Sequence, residues 1–421
     1  MRVDAQALRA PVARAVRRGR GTSFAELLIM GALRRKQTTA DRKYVGRTEP
    51  PRDMEIVAAE GSRVRDARGR TYIDFQMGWC VGNLGWNPPE VLARVRQFSG
   101  PTYVAPQRTY GPWTELAQRL TERAPGKLAR AYRCVGGSEA VELALQIAMK
   151  HTGRHKLVSL EGAYHGNTFG ARSVGEIDLD AHLPGMKKLA PPLDAKALDR
   201  LETLLKHKDV AALIMEPIVM NLNVLVPGAE FMRELVPLCH RYGTLVIADE
   251  VACGMGRTGK LFASEHYDLD PDLMCLAKAL GSGVAPIATT LATKELADSV
   301  EEDLHFYSTF GWMPLATEAA LGTLDYWDEH EDELLDNVAA RASQLCGGLM
   351  QIFADAKEVR VQGMAVAVEI GDADAVSRIV KRCLDAGLIV IEEEDTLMLL
   401  PPLTVDEETV DEALAILERA S

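Results

Sequence analysis

From about residue 131 onward, short apolar runs alternate with stretches whose apolar positions recur every three or four residues. Residues 131–135, 156–160, 211–215, 245–248 and 273–277 are the short runs, as expected for buried strands. Residues 139–150 and 230–242 carry the helical period. Such alternation predicts an α/β architecture, a mostly parallel sheet covered by helices on both faces. In such a sheet the loops at the strand ends carry the chemistry.

Upstream, residues 64–75 read as two short strands around a turn at 67–70, and 116–123 as a helix that stops near Pro125. Past about residue 325 the rhythm changes. A long helix is expected over 334–353, a strand over 365–370, a helix over 375–386 and a strand pair over 388–391 and 397–400. Thr404 reads as the N-cap of a last helix, with Glu407 completing a capping box. This division predicts an N-terminal arm and small-domain segment (1–85), a large domain (86–325) and a smaller α+β domain (326–421). The first 50 or so residues read as an arm with one helix.

Composition narrows the function classes. The 421 residues are enough for two or three domains, and 47% apolar content can bury a substantial core. A net charge of -12, from 48 basic and 60 acidic residues, argues against nucleic acid as the main partner. The seven cysteines are odd in number and form no CxxC pair, and the nine histidines show no HExxH spacing. No disulfide framework or metal site is expected, and a reducing cytoplasm fits. No apolar run approaches the roughly 18 residues of a membrane span. The N-terminus carries Arg14, Arg17, Arg18 and Arg20 without an apolar signal core, and the apolar stretch 24–33 lacks a cleavage pattern. A transit peptide is the alternative to a loose arm or first helix.

Four strand ends hold candidate chemistry. At Val135-Gly136-Gly137-Ser138-Glu139 a strand gives way to a helix. Free N–H groups and the helix dipole suit a phosphate there, although a tight turn capped by Ser138 needs no ligand. In Tyr164-His165-Gly166-Asn167-Thr168 an aromatic can stack on a flat ring, or simply edge the core. Asp249 ends an apolar strand, where a buried acid needs a partner. The ring nitrogen of pyridoxal phosphate is one, because a buried carboxylate keeps it protonated; a metal ion or a capping role are others. Lys278 ends another strand, followed by Gly281-Ser282-Gly283. Partly desolvated it becomes a nucleophile for carbonyls; in water it is an ordinary strand-end lysine.

Taken in order, these motifs resemble the class III aminotransferases, in the fold-type-I group of pyridoxal-phosphate enzymes. The resemblance runs from about residue 55 to the C-terminus. It is most specific in Ala248-Asp249-Glu250-Val251-Ala252-Cys253-Gly254-Met255-Gly256-Arg257-Thr258-Gly259, then Pro271-Asp272 and Ala277-Lys278-Ala279-Leu280-Gly281. It implies a seven-stranded, mostly parallel sheet in a large domain with a smaller α+β C-terminal domain. It also implies pyridoxal 5'-phosphate as cofactor, with Lys278 as the Schiff-base lysine and proton shuttle and Asp249 as partner of the pyridine nitrogen. Val251 and Tyr164 would flank the ring, Gly137 and Ser138 would hold the phosphate, and His165 joins the cofactor-binding set. Glu216 matches an acid on the substrate side. Thr309, in Ser308-Thr309-Phe310-Gly311, would reach the phosphate of a neighbouring subunit in a homodimer with shared active sites.

Three departures bear on the substrate. An arginine that grips carboxylates usually stands three residues before Pro401-Pro402-Leu403; here the position is Met398, and a thioether cannot clamp a carboxylate. Arg108, Arg257 and Arg360 are candidate substitutes. A common glutamine is Ala252, and with Met77-Gly78-Trp79-Cys80 this is more like amine or ω-amino-acid transaminases. Trp79 lines the substrate tunnel or packs in the core. Trp312 and Met313 stand where many members have small or polar residues, and would narrow the pocket. The expected reaction is amino transfer between an amine or amino acid and a keto acid or aldehyde. The alternatives are an aminomutase of the glutamate-1-semialdehyde type, or a decarboxylase or racemase on the same fold.

Overall fold

The computed structural model of the protein describes residues 41, 43–46, 54–176 and 182–421. The basic N-terminal residues, the 24–33 stretch and most of the expected arm lie outside them. Two compact units divide the chain: residues 1–57 with 66–68, and residues 58–65 with 69–421. In the first, the Ala67 N–H donates to the Glu55 carbonyl at 2.8 Å. The second holds the large sheet and the cavity.

Seven strands build that sheet: β1 (Leu128–Cys134), β2 (Lys156–Leu160), β3 (Met186–Leu189), β4 (Val210–Met215), β5 (Leu245–Asp249), β6 (Leu273–Leu276) and β7 (Ala288–Thr293). Their spatial order is β1-β7-β6-β5-β4-β2-β3. β7 runs antiparallel to both neighbours, and the others are parallel. β4 and β5 are buried along their whole length. Their alternate side chains feed two cores. Ile214 and Ile247 pack with Val141, Leu145 and Ile147 of the helix Gly137–Thr152. Leu213 and Val246 pack with Leu201 of the helix Ala195–Leu205 and Leu235 of the helix Ala229–Arg241. Burial on both faces is why these strands read as apolar runs.

Elements with weaker apolar patterns differ from expectation. β3 is Met-Lys-Lys-Leu at the sheet edge, too polar to stand out. The long helix is Pro314–Ile352, 39 residues, beginning well before 334. Its first turns bury Ala316, Thr317, Ala319, Ala320, Leu321 and Thr323, mostly small residues all round the helix, so no amphipathic stripe marks them.

In the C-terminal region β8 (Glu358–Gln362), β9 (Ala365–Glu369), β10 (Ile391–Glu393) and β11 (Thr396–Leu399) form a sheet ordered β8-β9-β11-β10. The strand Leu388–Ile389 departs from the expected pair and runs parallel to Thr71–Asp74 instead. The last helix, Glu407–Ala420, is capped by Asp406 rather than Thr404. The Asp406 carboxylate accepts from the Thr409 N–H at 2.7 Å, and an ionised cap holds its partner more tightly than a hydroxyl.

Candidate active site

Parallel strands bring their carboxyl ends to one edge, where a cavity of about 440 Å³ opens. It is lined by Gly137, Ser138, Tyr164, His165, Glu216, Asp249, Val251 and Lys278, every one of them singled out by the sequence. Asp249 ends β5, and its register partner on β6 is Cys275, three residues before Lys278. Adjacent strands thus deliver the acid and the amine to the same space. Lys278 is half-buried, with φ +40°, a conformation L residues avoid and that recurs at functional sites.

Asp249 is 3% exposed. One carboxylate oxygen accepts from the Val251 N–H at 3.0 Å, and the other meets His165 Nδ1 at 2.7 Å. An ionised carboxylate only accepts, so Nδ1 carries the proton and the imidazole fixes the acid's orientation. The buried Nε2 of His165 has no hydrogen-bond partner among the described residues.

The glycine turn is shaped for close approach. A Cβ on Gly137 would meet Val251 Cγ1 at 3.0 Å. Gly166, at φ +134°, leaves no room for one beside Ser138 Oγ, which would lie 2.5 Å away. Ser138 Oγ accepts from the Asn167 N–H at 3.0 Å, tying the Tyr164 loop to the start of the helix. Glu139 turns away and accepts from the Val135 N–H at 2.6 Å, so its charge does not fill the anion site.

Glu216 follows β4 and is 1% exposed. It accepts from Asn221 Nδ2 at 3.0 Å and, at 3.3 and 3.5 Å, from the Met220 and Asn221 N–H groups. Burial, and then the charge of Asp249, push its carboxyl up to about 8; Asn221 and Lys278 act the other way. Asn221 was not anticipated. The signal was present, since a buried acid five residues upstream needs donors.

The other expected residues lie elsewhere. Thr309 is exposed and off this cavity. Met398 is fully buried, in a cluster with Ile218, Met220 and Ala252, and half-buried Trp79 packs on the same cluster. Met77, Gly78, Trp79 and Cys80 all have positive φ, a single left-handed turn that costs non-glycine residues about 1–2 kcal/mol each. Trp312 does not narrow the cavity: it is 1% exposed in the core, donating from Nε1 to the Ala288 carbonyl at 2.8 Å. Arg257 is wholly buried on the carbonyls of Met364 and Pro401 and on Asn83 Oδ1. Arg360 is held by Glu358, Glu369 and the Asn223 carbonyl. Arg108 is exposed. Among the described residues, no arginine lines the cavity.

The donor set fits pyridoxal phosphate. A cradle of N–H groups that a Cβ would crowd suits the phosphate. The pinned buried acid suits the ring nitrogen, and the lysine suits the aldehyde. The model of the family described as aminotransferase class-III matches residues 44–421. The chain is 36% identical over 394 residues to an acetylornithine aminotransferase of Methanopyrus kandleri, covering 90% of this chain and 97% of that one. Its fold is similar to an amine transaminase from an uncultivated Pseudomonas species, solved with bound pyridoxal phosphate (28% identity, TM-score 0.82, 90% and 98% coverage). It is also similar to an ornithine aminotransferase from Toxoplasma gondii (26% identity, TM-score 0.85, 96% and 98% coverage). With the cavity's donor set and a match over most of its length, the chain belongs to the class III aminotransferases and is a pyridoxal-phosphate-dependent transaminase.

Proposed function

We propose that Lys278 and Asp249 carry the reaction, with the rest of the cavity placing the cofactor and the amino donor between them. The observation that carries this reading is that β5 and β6 deliver one buried acid and one amine to a single cavity. When bound, pyridoxal phosphate draws electrons from the carbon that bears the transferred amino group. Asp249, held by His165, keeps the ring nitrogen protonated. Gly137 and Ser138 hold the phosphate, and Tyr164 and Val251 bracket the ring. The Lys278 amine is the group that would hold the aldehyde, and it stands where it can move the proton at the amine-bearing carbon. Val284, Ala285, Pro286 and Ile287 narrow the remaining space and exclude water. Borohydride reduction of the holoenzyme followed by peptide mapping tests the assignment. The adduct is expected on Lys278, and an adduct on any other lysine overturns it.

The working unit is a homodimer in which Thr309 serves the partner's phosphate. An exposed apolar patch around Thr309 supports this: Tyr307 is 56% exposed, Phe310 57%, Leu315 43% and Tyr103 42%. Patches of this kind mark interfaces. A fully active monomer in light scattering would remove the shared site. Residues 86–325 form the cofactor domain and 326–421 the small domain, which the strand Thr71–Asp74 from the first 85 residues joins; its pairing with Leu388–Ile389 supports this division. A cytoplasmic location is supported by seven free cysteines, six of them buried.

The donor is an amine or neutral amino acid, and glutamate is a poor one. The relatives named above act on acetylornithine, ornithine and amines, so the family spans this range. An unpaired carboxylate in an apolar pocket costs several kcal/mol, and among the described residues this cavity has no arginine to pair it. The check is kcat/KM in the half-reaction for glutamate against alanine. A preference for glutamate of about tenfold or more, near 1.4 kcal/mol, would refute the reading.

A further inference from the structure

The charge of the cavity is lopsided. Two buried carboxylates, Glu216 and Asp249, face into it, and its single cationic side chain among the described residues is Lys278. On the proposed reading Lys278 is committed to the aldehyde and Asp249 to the ring nitrogen. Glu216 is then left without a cation. Its donors are neutral amides, and two of the three bonds are 3.3 Å or longer. A buried carboxylate of this kind is either neutral or paired. The nearby arginines cannot supply the pair, because Arg257 and Arg360 are engaged elsewhere. The rest of the cavity is lined largely by apolar side chains, Val81, Ala252, Val284, Ala285 and Ile287. An apolar wall ending in an unmatched acid suits an alkyl chain ending in an ammonium.

We propose that Glu216 binds a second, non-reacting ammonium group of the amino donor, so that the preferred donors are alkyl diamines. Asn221, through its Nδ2 bond to Glu216, holds the carboxylate toward the cavity. An arriving free amine takes up the Glu216 proton, and the ammonium–carboxylate pair so formed is a charge-assisted hydrogen bond in a desolvated site. A monoamine of equal length gains the alkyl contacts and lacks this bond. An aminoalkanoate puts like charge against Glu216. The idea rests on the transaminase reading and adds the substrate class to it.

The test uses the holoenzyme and the half-reaction, read as loss of the bound cofactor's visible absorbance. The probes are 1,4-diaminobutane, 1,5-diaminopentane, the monoamines of equal length, and 5-aminopentanoate. In the parent, kcat/KM for a diamine should exceed that for its monoamine by about tenfold or more, equal to about 1.4 kcal/mol. The aminoalkanoate should rank last. The ratio of diamine to monoamine within each enzyme is the readout, so a general loss of activity cancels. In Glu216→Gln that ratio should fall to about one. If Glu216→Gln does not load cofactor, Glu216→Asp keeps the charge on a shorter stem, and its best diamine should be longer than the parent's. A ratio near one in the parent, a ratio that survives in Glu216→Gln, or an unchanged length preference in Glu216→Asp overturns the proposal and leaves transamination standing. Binding of N,N,N′,N′-tetramethyl-1,4-diaminobutane, which cannot be transaminated, is measured by calorimetry as a separate readout. It should bind the parent and lose its affinity in Glu216→Gln; equal binding by both overturns the proposal. If no amine or amino acid bleaches the cofactor while this dication still binds through Glu216, the transaminase reading fails and the ammonium site survives.

Discussion

Glu216 and Glu250 are both glutamates just past the ends of neighbouring strands, and each is 1% exposed. Their surroundings differ. Glu250 sits in a closed pocket, where Ser264 offers its N–H and its hydroxyl, both at 2.7 Å, and Ala263 its N–H at 2.9 Å. Burial pushes its carboxyl up, and those donors hold it back. Glu216 faces a cavity, with longer bonds and Asp249 close by. Similar desolvation therefore has two meanings. A buried charge with complete partners is part of the structure, and one with incomplete partners opening on a cavity is poised for a ligand.

The largest effect should come from the open cavity. Lys278→Ala should abolish turnover yet still bind cofactor and melt near the parent temperature, as followed by absorbance and thermal unfolding. Asp249→Asn should come next, cutting turnover by several orders of magnitude with the fold intact, because a neutral amide cannot keep the ring nitrogen protonated. Activity within about tenfold of the parent, a barrier change near 1.4 kcal/mol, would give Asp249 another job.

The closed pocket should behave in the opposite way. Glu250→Gln replaces an acceptor of four bonds, the fourth from the Cys253 thiol, with an amide that turns a donor toward donors. Urea unfolding should show a loss of about 2–3 kcal/mol. Turnover by the folded fraction should hold within a few fold. A large loss of kcat with unchanged stability would erase the distinction between the two acids.

Glu216 should reveal itself through pH. Its carboxyl lies near 8 in the ligand-free fold, against about 4.5 in the unfolded chain. Between those values the folded state holds the proton that the unfolded state has released. Its contribution to stability therefore falls as pH rises from about 4.5 to about 8. Glu216→Gln should flatten that part of the unfolding profile of the apoprotein, and an unchanged slope would show the acid to be ionised throughout.

The smallest effect belongs to a pair whose histidine is about half exposed. Asp272 accepts from His240 Nε2 at 2.9 Å and raises the imidazole's affinity for its proton. A raised histidine stabilises the fold at low pH and loses that contribution as pH rises through its folded value. His240→Gln should cost under about 1 kcal/mol at acid pH, since solvent screens the pair. A larger loss would show that exposure does not separate these ion pairs as argued.

Local signals were enough for much of this protein. Strands buried on both faces must be apolar throughout, so β2, β4, β5 and β6 were legible as runs, and the helices Gly137–Thr152 and Ala229–Arg241 as periodic stretches between them. Sites at strand ends were legible for the same reason, because Asp249 and Lys278 interrupt apolar runs where a charge is costly. Only the tertiary structure decided which charges are complete. Glu216 and Glu250 read alike along the chain, and their difference comes from Ser264, Asn221 and the cavity edge. Trp312 likewise read as a wall of the pocket and proved to be core, since its indole N–H found the Ala288 carbonyl at 2.8 Å. Arg257 and Arg360 read as free to grip a carboxylate and proved engaged, Arg257 by Met364 and Pro401 and Arg360 by Asn223, Glu358 and Glu369. Secondary structure follows from neighbours a few residues apart, but the partners of a buried charge come from segments up to 174 residues away, as with Asn83 and Arg257. No local pattern records those meetings.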